Sequence, residues 1–401
     1  MHYIDQHIER SFKRLSEEEY QIQHLFRPAS YDWPGDWEGR ALLAFSNLYA
    51  ITGKKIPAME QFVAELPDHL NPEGFLGEVF HEDAVNEQQL SGHGWLMCGL
   101  CEYYKLFKSE VILQIATKMF NNLFYRALPH YDHYPMSREA RYEGEVSGTL
   151  AGSMGGWILS TDIGCAFICL DGISRYYEIT KDPKAEEFLR KTIVLFMQFD
   201  KIAAKAQTHA TLTAARAIFR FYKTTGDAQY LACVKNLFKL YVEEGMTYTY
   251  ENFNWFDRKD TWTEPCAIVD SLIVSIWLYE ETKDESYKTL ARRIWFNGLS
   301  FCHRVHGGAG PNNCVCEIQP YLAVNMYEAP FCCTMRYNEG LLFVHTHREW
   351  FENPGDGLTK DELGRTFNGD VLVVTDEETG KQYLLTELCF PEDNGKKYRV
   401  Y

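Results

Sequence analysis

Glu264-Pro265-Cys266 and, far downstream, the adjacent pair Cys332-Cys333 supply the residue types of a metal site. One carboxylate and three thiols make a closed tetrahedral set for zinc, which binds sulfur at about 2.3 Å and carboxylate oxygen at about 2.0–2.2 Å. Pro265 suits the first position of a helix, where no amide is needed, and it biases Glu264 towards extended backbone. Glu264 and Cys266 are therefore expected at a helix start, where the helix end and a bound cation both favour a thiolate. The other cysteines read differently. Cys98-Gly99-Leu100-Cys101 has a redox spacing but sits in an apolar helical stretch, and Cys165 and Cys169, four apart on an apolar face, read as core. Cys314 and Cys316, after Gly307-Gly308-Ala309-Gly310-Pro311, are alternate metal ligands.

The elements that must carry these residues show themselves as a repeat. One phrase recurs at Tyr49–Lys54, Tyr104–Lys108, Tyr177–Asp182, Tyr222–Asp227 and Tyr279–Asp284. An apolar stretch of helical period runs into each copy and an amphipathic one leaves it, so each copy joins two helices. The leading helices (Ala41–Leu48, Trp95–Tyr104, Ala166–Tyr177, Leu212–Tyr222, Ala267–Tyr279) are apolar nearly all round, as buried helices are. The trailing ones, such as Lys184–Phe196, Ala228–Tyr241 and Glu285–Leu299, have one apolar stripe. Buried first helices and half-exposed second ones predict an all-α dominated (α/α)6 barrel, with an open solenoid as the alternative. Counting back from each tyrosine places Asp36, His93, Asp162, His209 and Glu264 near the starts of the leading helices, which in a closed barrel share one mouth.

After Leu341 the pattern changes to alternation, at Leu342–His347, Val371–Thr375 and Gln382–Thr386, with a turn over Asp376–Gly380. The expected organisation is a barrel over 1–341 and a short β-rich C-terminal appendage over 342–401. Gly144, Gly148, Gly152, Gly155 and Gly156 form a glycine-rich stretch without the Gly-Lys-Ser/Thr ending of a phosphate loop. Its plain reading is a connection, with a lid over the mouth as the other.

With 46% hydrophobic and 15% aromatic residues in 401, the chain has material for a large core. A formal charge of −16 argues against nucleic acid and anionic membranes, which reward a basic face. The first ten residues carry charge where a leader needs an apolar run, and no stretch approaches the length of a membrane span. The expected compartment is the cytoplasm, where cysteines stay as thiols. A homodimer is compatible with all of this.

These residues resemble the cysteine-dependent glycoside hydrolases of family 127, typified by β-L-arabinofuranosidases. The resemblance runs from about Tyr31 to Leu342 and rests on Thr263-Glu264-Pro265-Cys266-Ala267, Arg292–Leu299 and Phe331-Cys332-Cys333. It implies a zinc held by Glu264, Cys266, Cys332 and Cys333, with Cys332 as nucleophile and Glu251 as general acid/base. The implied activity is that of a retaining exo-glycosidase acting on a small carbohydrate with a furanose-type sugar. His93 and His209 would then bond hydroxyls, and Trp33, Trp255 and Trp262 would offer apolar faces to the sugar. Asp36 joins these substrate-binding residues by its register, although helix capping is the plainer role for it and for Asp162. The chain departs from the family with Thr334-Met335-Arg336 where Pro-Pro-Asn is common, and with a shortened C-terminal sandwich. Two other functions fit the same thiols: a non-hydrolytic zinc-thiolate barrel that activates a thiol, as lanthionine cyclases do, and a degenerate carbohydrate-binding protein.

Overall fold

The computed structural model describes residues 3–80, 84–136 and 148–401. Gly144 of the glycine-rich stretch lies outside them. The chain forms two units, one of Met1–Leu15 with Phe238–Tyr401 and one of Ser16–Leu237.

The recurring phrase is a helix stop followed by a helix start. At Gly53, Lys108, Lys181, Gly226 and Lys283 the backbone is left-handed, and each N–H bonds to the carbonyl of its own tyrosine: Tyr49, Tyr104, Tyr177, Tyr222 and Tyr279. This single bond closes the helix. The aspartate that follows opens the next one, because the side chains of Asp182 and Asp284 accept the amides of Lys184 and Ser286, both at 2.9 Å.

The chain opens with helix α1 (Tyr3–Arg14), which belongs to the first unit. The second unit holds the short α2 (Ile22–Leu25), then α3 (Asp36–Thr52), α4 (Pro57–His69), α5 (Glu87–Phe107), α6 (Glu110–Met119), α7 (Cys169–Thr180), α8 (Pro183–Gln198) and α9 (Thr208–Thr225). The leading helices α3, α5, α7 and α9 pack on one another in series. Glycine allows the closest approach: a Cβ on Gly39 of α3 would lie 2.1 Å from the backbone nitrogen of Leu96 in α5. The buried carboxylate of Asp171 in α7 meets Arg220 of α9 at 2.5 Å and Arg216 at 3.5 Å, a second tie between those helices.

Part of the glycine-rich stretch is a hairpin, which alternation alone had not shown. Strands β2 (Leu150–Met154) and β3 (Trp157–Ser160) pair antiparallel around Gly155-Gly156, with β1 (Val85–Asn86) parallel to β3. Positive φ at both glycines, +57° and +83°, is what a tight hairpin turn demands.

Helix α10 (Ala228–Leu240) leads back into the first unit, which contains α11 (Pro265–Thr282), α12 (Glu285–Arg293), α13 (Cys333–Thr346) and α14 (Arg348–Phe351). Helix α11 packs against α12 and α13, and α13 against α1. The strand expected over Leu342–His347 is instead the end of α13. Leu341 and Val344, three apart as on one helix face, are buried while Leu342 and Phe343 between them are half-buried, and the apparent alternation covered too few residues to outweigh that period. The expected hairpin is present: β7 (Val371–Asp376) pairs with β8 (Gln382–Leu384) with Val374 opposite Tyr383. Strands β4 (Tyr321–Leu322), β5 (Leu358–Lys360), β6 (Thr366–Asn368) and β9 (Tyr398–Arg399) complete a sheet in the order β4-β9-β7-β6-β5.

Candidate functional site

Pro265 occupies the first turn of α11, and Glu264 before it has the extended backbone expected (φ −126°, ψ 108°). The segment ahead of the helix is pinned from two sides. The Glu264 amide donates to Asn252 Oδ1 at 2.7 Å, the Thr263 amide donates to the Asn312 carbonyl at 2.9 Å, and the Asn312 amide donates to Thr263 Oγ1 at 2.8 Å. Cys266 therefore sits in the first turn of a helix whose lead-in is held on both sides. Cys332 is the cap residue of α13 and Cys333 its first helical residue. The turn before them is tied down as well: Thr334 Oγ1 donates to Glu328 at 2.8 Å and accepts the Ala309 amide at 3.0 Å.

These two helix starts bring the three thiols together. Cys333 Sγ lies 3.3 Å from Cys332 Sγ and 3.8 Å from Cys266 Sγ, and the three sulfurs lie within 4.8 Å of one another. A carboxylate oxygen of Glu264 is within 4.8 Å of the Cys266 sulfur, but Glu264 is not grouped with the vicinal pair. Tetrahedral bonds of 2.3 Å place sulfurs about 3.8 Å apart, as Cys266 and Cys333 are, whereas the vicinal pair would subtend about 90° at the same cation. Three thiols so spaced could hold a metal ion. Cys266 and Cys333 are buried and Cys332 is half-buried. Burial, and then the neighbouring thiols, push the Cys333 thiol well above its ordinary value. Without a cation it is a neutral thiol.

Glu251 is fully buried. Its carboxylate accepts from Thr249 Oγ1 at 2.6 Å, Asn312 Nδ2 at 2.7 Å, Thr263 Oγ1 at 3.2 Å and Cys302 Sγ at 3.4 Å. Burial pushes its carboxyl up, and those four bonds oppose the shift without cancelling it. Trp255 and Trp262 meet edge to face at 5.4 Å, with Trp255 buried and Trp262 half-buried.

The remaining sequence candidates lie in the second unit. Both ring nitrogens of His93 are spent on backbone, Nε2 accepting the Leu76 amide at 2.9 Å and Nδ1 facing the Gln89 carbonyl at 2.8 Å, and burial holds its pKa at about 4. That is a packing histidine. His209, second residue of α9, stacks on Trp95 at 5.8 Å. Trp33 donates to the Gly148 carbonyl at 3.0 Å. Asp36 does not cap α3; Gly35 holds that position and Asp36 binds Arg40 at 2.9 Å. Asp162 precedes a short helical turn at Cys165–Phe167.

Cys314 and Cys316 are buried but belong to no metal-sized group among the described residues; Cys314 donates to the Asn252 carbonyl at 3.6 Å. Cys98, Cys101, Cys165 and Cys169 are core residues, and burial pushes Cys101 and Cys169 up to about 12. Sequence reasoning missed Asn252, Thr263 and Asn312, which fix the site's backbone, and the buried pair Asp270–Arg336 between α11 and α13. Asp270 had a signal: it is the one charge in the otherwise uncharged run Pro265–Tyr279.

No protein-family model matches the chain, and no curated protein does. Solved structures do. A cellobiose 2-epimerase from Bacillus thermoamylovorans matches 85% of this chain and 100% of its own at 16% identity, with a TM-score of 0.55. An unsaturated glucuronyl hydrolase specific for heparin matches 87% and 98% at 11% identity and 0.58. A family 127 β-L-arabinofuranosidase from Geobacillus stearothermophilus matches 92% of this chain at 14% identity and 0.54, but this chain spans only 64% of that enzyme's length. What is shared at these identities is the fold, a helix-dominated (α/α)-barrel class with a few C-terminal strands, as the repeat predicted. No helix among the described residues is long and apolar enough to cross a membrane.

Proposed function

We propose that the protein is a carbohydrate-active enzyme, a retaining exo-glycosidase that releases a furanose-type sugar such as β-L-arabinofuranose. One observation carries the reading: Cys266, Cys332 and Cys333 meet at two helix starts, in a fold also found in glycoside hydrolases. Residues 1–341 would hold the chemistry and 342–401 the β-rich appendage. Glu264, Cys266, Cys332 and Cys333 would hold zinc, which when bound keeps the thiols ionised and Cys332 fixed.

Cys332 Sγ attacks the anomeric carbon, the glycosidic C–O bond breaks, and the departing oxygen takes the proton of Glu251. Water then gives its proton back to the Glu251 carboxylate and displaces the sulfur, so two inversions give retention. The raised carboxyl of Glu251 favours the protonated form this role starts from. Because its oxygens already bond to Thr249, Thr263 and Asn312, a leaving oxygen must displace one of those donors. Trp255 and Trp262, in the unit that carries the thiols, are the proposed sugar-binding residues; we assign His93 to packing. The test is hydrolysis of an aryl β-L-arabinofuranoside by wild type and Cys332→Ala. Loss in the variant supports the reading, and equal rates end it.

A second reading, a sugar epimerase or isomerase, draws on length. The chain covers 100%, 97% and 96% of a cellobiose 2-epimerase, another sugar epimerase and a D-mannose isomerase, and 98% of the glucuronyl hydrolase, against 63% and 64% of two arabinofuranosidases, so length sets it apart from the last two alone. Solvent deuterium entering a reducing sugar without cleavage of any glycosidic bond would favour it. Glu251→Gln without effect, and no glycoside turned over, would point to the thiol-activating alternative.

A further inference from the structure

Helices α11 and α13 deliver Cys266 and Cys333, so the spacing of those sulfurs is the spacing of two helices. On α11, Val269 and Asp270 lie three and four residues after Cys266, and on α13 Arg336 and Gly340 lie three and seven residues after Cys333. Residues so spaced share one helix face, here the face each helix turns to the other. The sulfurs meet in the first turn at 3.8 Å. One turn deeper, Arg336 binds Asp270 across the interface and Glu339 on its own helix, and the Asp270 and Arg336 side chains are wholly buried. Deeper again, Gly340 lets the helices close: a Cβ there would lie 3.1 Å from Val269 Cγ2 and 2.9 Å from Leu299 Cδ2.

We infer that Asp270 and Arg336 are positioning residues for the thiol site, an ion pair that fixes how far apart Cys266 and Cys333 stand and in what register. Their action is through the helices: a buried pair resists any slide or spread, because either charge left alone in the core is strongly disfavoured. Arg336 matches the geometry, since a planar guanidinium can hold Asp270 and Glu339 together where an ammonium cannot do so in the same plane. The inference rests on the reading of the thiols as a metal site, and extends it to residues that bind no metal.

Cobalt(II) added to the apoprotein separates the two claims. Wild type is expected to show the intense near-ultraviolet thiolate-to-cobalt band. Asp270→Asn, which keeps shape and removes charge, is expected to bind cobalt at least tenfold more weakly against a chelating dye, with a shifted band, while its far-ultraviolet dichroism matches wild type. Arg336→Lys should recover part of the affinity lost in Arg336→Gln. Should Asp270→Asn fail to fold, Gly340→Ala perturbs the same helix pair by packing alone and is expected to weaken cobalt binding severalfold. Folded variants with wild-type affinity and band would overturn the positioning role while leaving the metal site standing. A wild type with no thiolate band would overturn both.

Discussion

Two buried cysteine groups in the same unit differ in what the sulfurs face. At Cys266, Cys332 and Cys333, thiol faces thiol at 3.3 and 3.8 Å. Around Glu251, thiol faces oxygen: Cys302 donates to the Glu251 carboxylate at 3.4 Å and the Gly298 carbonyl at 3.3 Å, and Cys314 donates to the Asn252 carbonyl at 3.6 Å. A buried thiol with an oxygen acceptor is satisfied as a neutral donor. A thiol beside other thiols has weaker acceptors in them than in an oxygen, and a divalent cation can take the proton's place. Residue type is the same in both groups, so the difference in chemistry comes from the company each thiol keeps.

The comparison breaks first on turnover. Cys332→Ala is expected to lower aryl-glycoside hydrolysis by about 10³-fold or more, while Cys314→Ser, which keeps a donor for Asn252, stays near wild type; equal losses in both would erase the distinction. Metal content sharpens it. Cys266→Ser and Cys333→Ser should each lose most of the bound zinc measured by elemental analysis, and Cys314→Ser should keep it.

A smaller effect concerns Glu251, on the oxygen-rich side. Its folded pKa lies above the ordinary 4.5. The folded state therefore holds that proton more tightly, and the stability this contributes is full below pH 4.5 and lost as pH rises through the folded value. Glu251→Gln cannot titrate, so the melting temperature of wild type should fall relative to the variant as pH rises from 4.5; parallel profiles would contradict the raised value. The smallest effect lies beside the thiols. Burial alone would raise the Glu328 carboxyl, but bonds from His306, Arg14 and Thr334 hold it at about 2. Its contribution is present above pH 4.5 and lost as pH falls towards 2, so Glu328→Gln should flatten the acid limb of the thermal profile.

What could be read from sequence was what local chemistry decides. The repeated phrase is a left-handed cap, followed by an aspartate cap in the copies ending at Asp182, Asp227 and Asp284, and it placed the ends of five leading helices within four residues of where they fall. Pro265 in the first turn did the same for Glu264 and Cys266. Where several elements must cooperate, sequence reading fell short. The four donors to Glu251 come from positions 249, 263, 302 and 312, and only folding shows that they saturate it. His93 shares the register of His209, yet the Leu76 amide, remote from that register, consumes its Nε2. Strands of two or three residues such as β4 and β9 carry too short a pattern to be seen. Asp270 and Arg336 stood in plain view, but their pairing is a fact of helix packing.

X-ray absorption at the zinc edge of the purified protein looks directly at whether sulfur surrounds a metal. The expected result is one zinc per chain with a first shell dominated by sulfur at about 2.3 Å, roughly three sulfurs to one oxygen or nitrogen. A zinc-free protein, or a shell of oxygen and nitrogen alone, would contradict it.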